Sequence, residues 1–156
     1  MDQQRRLLLK STLAASTTGV AISAGLLTPK AVLAAWNSAA FEAKDLNAAM
    51  TGAFGATAPE ESNQIELKAP EVAENGASVT VTVSSKLAKT NAISILVQNN
   101  AQPLSATFNL GATTEATITT NIKMGKTSDV IAVVKADGKL YSTKQLVKVT
   151  IGGCGG

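Results

Sequence analysis

The middle of the chain contains a run in which every second residue is valine. Residues 79–84 read Val-Thr-Val-Thr-Val-Ser. Because successive side chains of a β-strand point to opposite faces, this spacing places the three valines on one face and the hydroxyl side chains on the other. A helix would spread the same valines around its surface. The run therefore predicts a β-strand with one buried face and one exposed face.

Comparable strand signals recur from residue 64 onward. Apolar or alternating stretches lie at 92–98, 106–110, 116–124, 130–136 and 146–151. Asp137 and Gly138 separate two apolar runs, which is the strongest short-range signal for a β-hairpin. Strands spaced about 8–12 residues apart predict an all-β chain, folded as an immunoglobulin-like antiparallel β-sandwich of about seven strands.

The region before the strands has a different composition. Residues 38–50 are rich in alanine and predict a short N-terminal helix, with Ser38 as its cap and Gly52 near its end. Gly and Pro residues in 51–59 predict a loop, and we expect no second helix. The predicted organisation is a leader at 1–34, a helix and linker at 35–62, a β-sandwich at 63–151 and a tail at 152–156.

The leader has the order of an export signal. Arg5 and Arg6 precede an apolar stretch, and small residues follow near Ala34, where a signal peptidase would cut. The arginine pair and its flank resemble a twin-arginine signal. A retained membrane anchor is the alternative, but polar residues interrupt the stretch too often for a comfortable span. We therefore expect a periplasmic protein without a membrane span after processing.

Composition excludes several classes of function. The chain has no His and one Cys, which excludes a Ser-His-Asp triad, a His-ligated metal site and a multi-cysteine metal cage within the chain. An aromatic content of 3% is too low for a base-stacking platform. The net charge of +3 belongs to the leader, because residues 35–156 contain ten lysines, ten acidic residues and no arginine. We expect no cofactor, no metal and no nucleic-acid partner.

Two short motifs suggest enzyme sites and are better explained as surface features. Gly125-Lys126-Thr127 resembles the end of a phosphate-binding loop, but Thr120 stands where that motif needs a glycine, and a strand follows instead of a helix. It predicts a turn between strands. The adjacent Glu60 and Glu61 predict a solvated edge, because nothing in the sequence orients them as a catalytic pair.

The end of the sequence carries the main functional signal. Cys154 stands in a symmetric frame of Gly152, Gly153, Gly155 and Gly156. An odd cysteine in an exported protein needs a specific cause, and four glycines predict a flexible arm. No cationic side chain in the tail promotes ionisation of the thiol, so a partner must activate it. The pattern predicts a carrier arm with Cys154 as its attachment site, the alternative being a frayed end.

Several segments together resemble one family. Beside the tail and residues 148–151, the segments that carry the resemblance are 69–77, 93–97, 103–108, 122–128 and 133–141. They resemble SoxY, the sulfur-carrier family of the bacterial thiosulfate-oxidising system. The resemblance covers essentially the whole chain after the leader, and the twin-arginine signal agrees with it.

The resemblance implies a function and a set of partners. A SoxY protein pairs with a second sandwich subunit, SoxZ, which has no export signal of its own. The resemblance implies that Cys154 receives thiosulfate from a c-type cytochrome enzyme, as cysteine S-thiosulfonate. A dinuclear-manganese hydrolase then releases sulfate, and a sulfane dehydrogenase can oxidise the remaining sulfur. The chain itself is then a carrier and not an enzyme.

Two other classes of protein remain open on the sequence. One is a thiocarboxylate carrier, which loads sulfur on the carboxyl group of a terminal Gly-Gly pair such as Gly155 and Gly156. Carriers of that class are cytosolic and have a helix in the middle of a small sheet. The other is a structural sandwich that dimerises through a disulfide between two copies of Cys154.

Overall fold

The computed structural model describes residues 37–56 and 58–150. The leader predicted at 1–34 and the tail predicted at 152–156 lie outside the described residues. The described part of the chain contains two helices followed by nine strands. We label the helices α1 (Ser38–Phe41) and α2 (Leu46–Phe54). The strands are β1 (Glu60–Glu61), β2 (Ile65–Lys68), β3 (Val72–Ala73), β4 (Val79–Ser85), β5 (Thr90–Val97), β6 (Leu104–Asn109), β7 (Thr117–Ile122), β8 (Ser128–Ala136) and β9 (Lys139–Val149).

The strands form two sheets. The larger has the order β1-β9-β8-β5-β6, with β3 also paired to β9, and the smaller has the order β2-β4-β7. All pairs are antiparallel except β1 with β9 and β3 with β9, which are parallel. The seven strands longer than two residues agree with the expected number. The predicted all-β sandwich is confirmed, with two short parallel pairings that the sequence did not indicate.

The core lies between the two sheets and follows from the valine alternation. Val79, Val81 and Val83 of β4 are buried, and the hydroxyl residues between them are partly or fully exposed. Their counterparts in the larger sheet share the same cluster: Ile93, Ile95, Val97, Val130, Ala132 and Val134. On the outer surface of the smaller sheet, side-chain hydrogen bonds such as Thr82 to Thr119 at 2.9 Å connect neighbouring strands. The predicted buried and exposed faces of β4 are therefore confirmed.

The hairpin between β8 and β9 is also confirmed. Asp137 and Gly138 have φ angles of 49° and 77°, which a two-residue turn that matches strand twist requires. Strand β9 runs to Lys139 at this turn, seven residues before the predicted start at 146. The reason is that residues 139–145 are mostly polar and only their pairing with β8 identifies them as a strand.

The prediction of one helix over 38–50 is wrong. Helix α1 already ends at Phe41, and Asp45, with an extended backbone (φ −134°, ψ 160°), accepts a hydrogen bond from Ala48 N–H at 2.8 Å and so caps a second helix. Asn37, not Ser38, caps α1. Helix α2 continues to Gly55, which has a φ of 72°. Gly52 lies inside α2, where an added Cβ would stand 2.9 Å from Ala40 Cα, so the glycine permits close packing of α1 on α2.

The two helices cover part of the outer face of the larger sheet. Ala40, Ala49 and Met50 are buried in a second cluster, which also contains three residues of the sheet: Leu96, Leu104 and Val133. Phe41 and Leu46 are partly buried against it, as expected for the apolar side of this region. The larger sheet is thus buried on both faces where the helices lie.

Candidate functional site

The predicted attachment residue, Cys154, lies outside the described residues, as do Gly152, Gly153, Gly155 and Gly156. The structure does describe the scaffold from which this segment continues. We call Lys148, Val149 and Thr150, the last three described residues, the tail root. The contacts of the tail root fix the point from which the chain continues toward Cys154.

Three hydrogen bonds fix the backbone of the tail root. Lys148 N–H donates to the carbonyl oxygen of Glu71 at 2.9 Å, and Thr150 N–H donates to that of Ala73 at 3.1 Å. Between them, Val149 N–H points the other way and donates to Thr127 Oγ1 at 3.0 Å. Strand β8 pairs with β9 only as far as Val147. Beyond that point Thr127 takes the place of β8 on one edge of β9, and β3 pairs along the other edge.

The segment on the β3 side is packed closely against the tail root. A Cβ added at Gly76 would collide with the carbonyl oxygen of Met124 and would stand 2.9 Å from Val149 Cγ1. Met124 N–H in turn donates to Gly76 O at 2.7 Å. In the sequence, Glu71, Glu74 and Asn75-Gly76 predict only a polar turn. The structure adds a two-residue strand and a close contact with the last residue of β9.

The segment on the other side is a turn held by two asparagine side chains. Asn99 Nδ2 donates to Thr127 O at 3.2 Å, and Asn100 Nδ2 donates to Lys123 O at 2.7 Å. Gly125 N–H donates back to Asn100 Oδ1 at 3.1 Å. The prediction that Gly125-Lys126-Thr127 is a turn and not a phosphate-binding loop is confirmed, because it leads directly into β8. Its structural role is to present Thr127 to the tail root.

Charges of both signs surround the tail root. Lys148 lies in it, Lys126 precedes Thr127, and Glu71 and Glu74 flank β3; all four are exposed. The described ion pairs lie elsewhere, between Lys68 and Glu66 and between Lys89 and Asp137, each at 3.0 Å. In the first of these, a hydrogen bond from Lys68 lowers the pKa of Glu66. The charged groups of the tail root therefore face solvent, where a partner can reach them.

An open depression of about 490 Å³ lies beside this turn. Its lining includes the polar residues Asn100, Gln102, Ser105, Asn121 and Lys123 together with Ala101, Ile122 and Gly125. Within residues 37–56 and 58–150, no group of three or more His, Cys, Asp or Glu side chains could hold a metal ion. A search of the same residues found no helix with the length and hydropathy of a membrane span.

A comparison with known protein families identifies the family of this chain. The family described as sulfur oxidation protein SoxY matches residues 50–154, which include most of α2, every strand, the tail root and Cys154. The chain belongs to the SoxY family. The resemblance stated from the sequence is therefore confirmed.

Solved structures agree with this assignment. The structure of the sulfur carrier protein SoxY from Chlorobium limicola f thiosulfatophilum is 39% identical, with a TM-score of 0.62, and the match covers 69% of this chain and 97% of that one. A superoxide reductase (neelaredoxin) from Ignicoccus hospitalis matches with a TM-score of 0.50 at 16% identity, over 56% of this chain and 81% of that one, and shows a shared fold alone. A comparison with curated proteins gives no match.

Sequence reasoning found the SoxY tail but not the residues that hold its root. Thr127, Gly76 and the Asn99–Asn100 pair contact partners that are more than 20 residues away along the chain. An Asn-Asn pair at the end of an apolar strand was a visible turn signal. It did not identify which segment the turn would support.

Proposed function

We propose that this SoxY protein is a periplasmic carrier that holds sulfur covalently on Cys154 while partner enzymes act on it. The observation that carries the proposal is the family match, which continues through the tail root to position 154. The described scaffold supports it, because three hydrogen bonds fix the chain up to Thr150, only four residues before the cysteine. A fixed root and a short tether suit a protein that must present a thiol repeatedly.

The loading step is an oxidation of two sulfur compounds. The thiol of Cys154 and thiosulfate join through a new S–S bond and give cysteine S-thiosulfonate, one proton and two electrons. The two electrons pass to the c-type cytochrome enzyme that performs the step. The carrier contributes the nucleophilic sulfur, and its partner contributes the oxidant and the activation of the thiol.

The unloading step is a hydrolysis. Water attacks the terminal sulfonate sulfur and the bond between that sulfur and the sulfane sulfur breaks. Sulfate and one proton are released, and the sulfane sulfur takes the other proton and remains on Cys154 as a persulfide. The dinuclear-manganese hydrolase performs this step, and a sulfane dehydrogenase can oxidise the persulfide. In this scheme the catalytic groups belong to the partners, and the carrier is not an enzyme.

The leader motif and composition support the rest of the proposal. Arg5 and Arg6 fit a twin-arginine export signal, a route that carries folded proteins. A SoxZ-like sandwich subunit, bound before export, accounts for that route better than a cofactor would. The carrier then works in the periplasm as one half of a heterodimer.

The test uses radiolabelled thiosulfate and the purified carrier with its SoxZ-like partner. Wild-type carrier and the Cys154→Ser variant are incubated with the cytochrome enzyme and an electron acceptor, and protein-bound label is measured. We expect label on the wild type and none on the variant, with equal binding of the SoxZ-like subunit by both. Label that persists on Cys154→Ser would instead favour a thiocarboxylate carrier. No label on either protein would favour a structural role.

A further inference from the structure

Two large apolar side chains of the described residues are exposed, and both lie near the tail root. Val72 is 49% exposed and Leu146 is 51% exposed. Val72 is paired in register with Lys148, and Leu146 precedes Lys148 by two residues on β9. Residues two apart on a strand share a face, so both side chains lie on the same outer face of the larger sheet.

This exposed pair continues the face that the helices cover. Along β8 and β9 the outer-facing pairs are Val133 with Ser142, Ile131 with Lys144, and Asp129 with Leu146. Val133 is buried under the helices and Ile131 is partly buried there. The helices therefore cover the face near the hairpin, and Leu146 and Val72 stand uncovered on the same face toward the tail root, beyond Lys144 and Asp129.

Two lysines border the exposed pair. Lys144 and Lys148 stand on either side of Leu146 on the same face of β9, and both are exposed. Neither takes part in the ion pairs found among the described residues. We call Val72, Lys144, Leu146 and Lys148 together the β9 patch. Its centre is apolar and its border carries the two lysines, together with the half-buried Asp129 opposite Leu146 and the exposed Glu71 and Glu74 that flank β3.

The length of chain between the patch and Cys154 limits where an enzyme can stand. Leu146 and Thr150 are four residues apart on an extended strand, about 13 Å. The four residues from Thr150 to Cys154 can span at most about 14 Å. An enzyme that takes Cys154 into a narrow site must therefore come close to the tail root. Its surface then contacts the carrier residues that surround the tail root.

We propose that the β9 patch is the docking surface for the enzymes that act on Cys154. The partner surface has an apolar contact area that covers Val72 and Leu146 and acidic side chains that face Lys144 and Lys148, beside the mouth of its thiol-accepting channel. Each enzyme of the cycle shares this surface, because each must reach the same cysteine over the same tether. The inference rests on the proposed carrier function and adds a recognition surface outside the tail.

The experiment measures steady-state kinetics of the thiosulfate-loading enzyme with the carrier, in complex with its SoxZ-like subunit, as varied substrate. We expect the double variant Val72→Thr/Leu146→Gln to raise the KM for the carrier about tenfold with kcat nearly unchanged, as loss of docking predicts. Lys144→Glu with Lys148→Glu raises KM similarly, and high salt reduces this effect. Lys139→Glu is the control, because it reverses a charge on the same strand, about 16 Å from Lys144 and about 30 Å from Lys148; its KM stays at the wild-type value.

Further measurements separate docking from other causes. Reaction of Cys154 with a small aromatic disulfide should be equal in all variants, which shows that the thiol is intact and accessible. Equal KM values for the wild type and both patch variants would overturn the inference. Loss of the SoxZ-like subunit in the patch variants, or a melting temperature lowered by several degrees, would overturn it too, because the patch would then be covered by that subunit or by the chain itself. If the wild type is not loaded at all, the carrier function fails rather than the docking surface.

Discussion

At the scale of single residues, Thr127 contributes more to the SoxY tail than its exposed position indicates. Its hydroxyl oxygen accepts the hydrogen bond of Val149 N–H, just beyond the point where β8 stops pairing with β9. The Thr127 side chain thus adds one hydrogen bond beyond the last backbone pair between β8 and β9. The tail root keeps a defined position because this bond and the β3 bonds hold it from both sides.

We therefore expect Thr127→Val to loosen the tail root. The substitution keeps the shape of the side chain and removes the acceptor, at a cost of about 1 kcal/mol in the free energy of unfolding. Amide hydrogen exchange should become faster at Val149 and remain unchanged in the core strand β5. Thr127→Ser, which retains the hydroxyl, should restore slow exchange. Equal exchange rates at Val149 in all three proteins would show that the hydroxyl does not hold the root.

Gly76 provides a second residue-scale prediction. A methyl group there meets the backbone oxygen of Met124 and Val149 Cγ1, and the backbone cannot move away cheaply. We expect Gly76→Ala to destabilise the protein by about 1–3 kcal/mol, the usual range for overpacking. Gly125→Ala is the control, because its nearest neighbour would be Asn100 Oδ1 at 3.8 Å, an ordinary contact. Denaturant unfolding of both variants measures the difference, and equal midpoints would contradict the packing described.

At the scale of elements, alternation along the sequence predicted the long strands and failed for the short ones. The valines of β4 define its buried face without reference to the rest of the fold. By contrast, β1 and β3 have two residues each and exist only because β9 lies beside them. The helix boundary failed for a related reason. Alanine content favours a helix throughout 38–50, but residues 42–45 are not helical and divide it in two.

The cap at Asp45 is testable by substitution. Asp45→Ala removes the acceptor for Ala48 N–H and should destabilise α2 by about 1 kcal/mol. Asp45→Ser retains a capping oxygen and should recover most of the loss. Thermal unfolding followed by circular dichroism measures both. If Asp45→Ala unfolded at the same temperature as the wild type, the cap that separates α2 from α1 would contribute little to the free energy of unfolding.

At the scale of the whole molecule, the sandwich is a rigid base, and the chemistry proposed for it lies beyond the last strand. The sequence predicts Cys154 and its glycine frame as the attachment site because they form a contiguous motif. It could not identify Gly76, Thr127 or the β9 patch, since these are defined by segments that meet only in the folded chain. Contiguous motifs are visible in a sequence, and surfaces assembled from distant segments are not.

The position of Cys154 on a tether beyond the last strand also predicts how the carrier behaves without its partner. A thiol on a short glycine tether can meet its copy without straining either sandwich, because the disulfide geometry adjusts freely. Air oxidation of the purified protein without its partner should therefore produce a disulfide-linked dimer. A thiol reductant should dissociate this dimer, and the Cys154→Ser variant should not form it. Size-exclusion chromatography with and without reductant measures it. A wild-type monomer with a free thiol after prolonged oxidation would indicate that Cys154 is shielded.

The proposed carrier function requires that sulfur is held covalently on Cys154. This attachment can be measured by mass spectrometry of the peptide that contains Cys154, from carrier isolated under non-reducing conditions from cells grown on thiosulfate. We expect peptides whose added mass corresponds to thiosulfate or sulfane sulfur, with fragment ions that place the addition on Cys154 and with loss of the addition after reduction. A peptide with unmodified Cys154, or with sulfur located on the terminal carboxyl group, would contradict it.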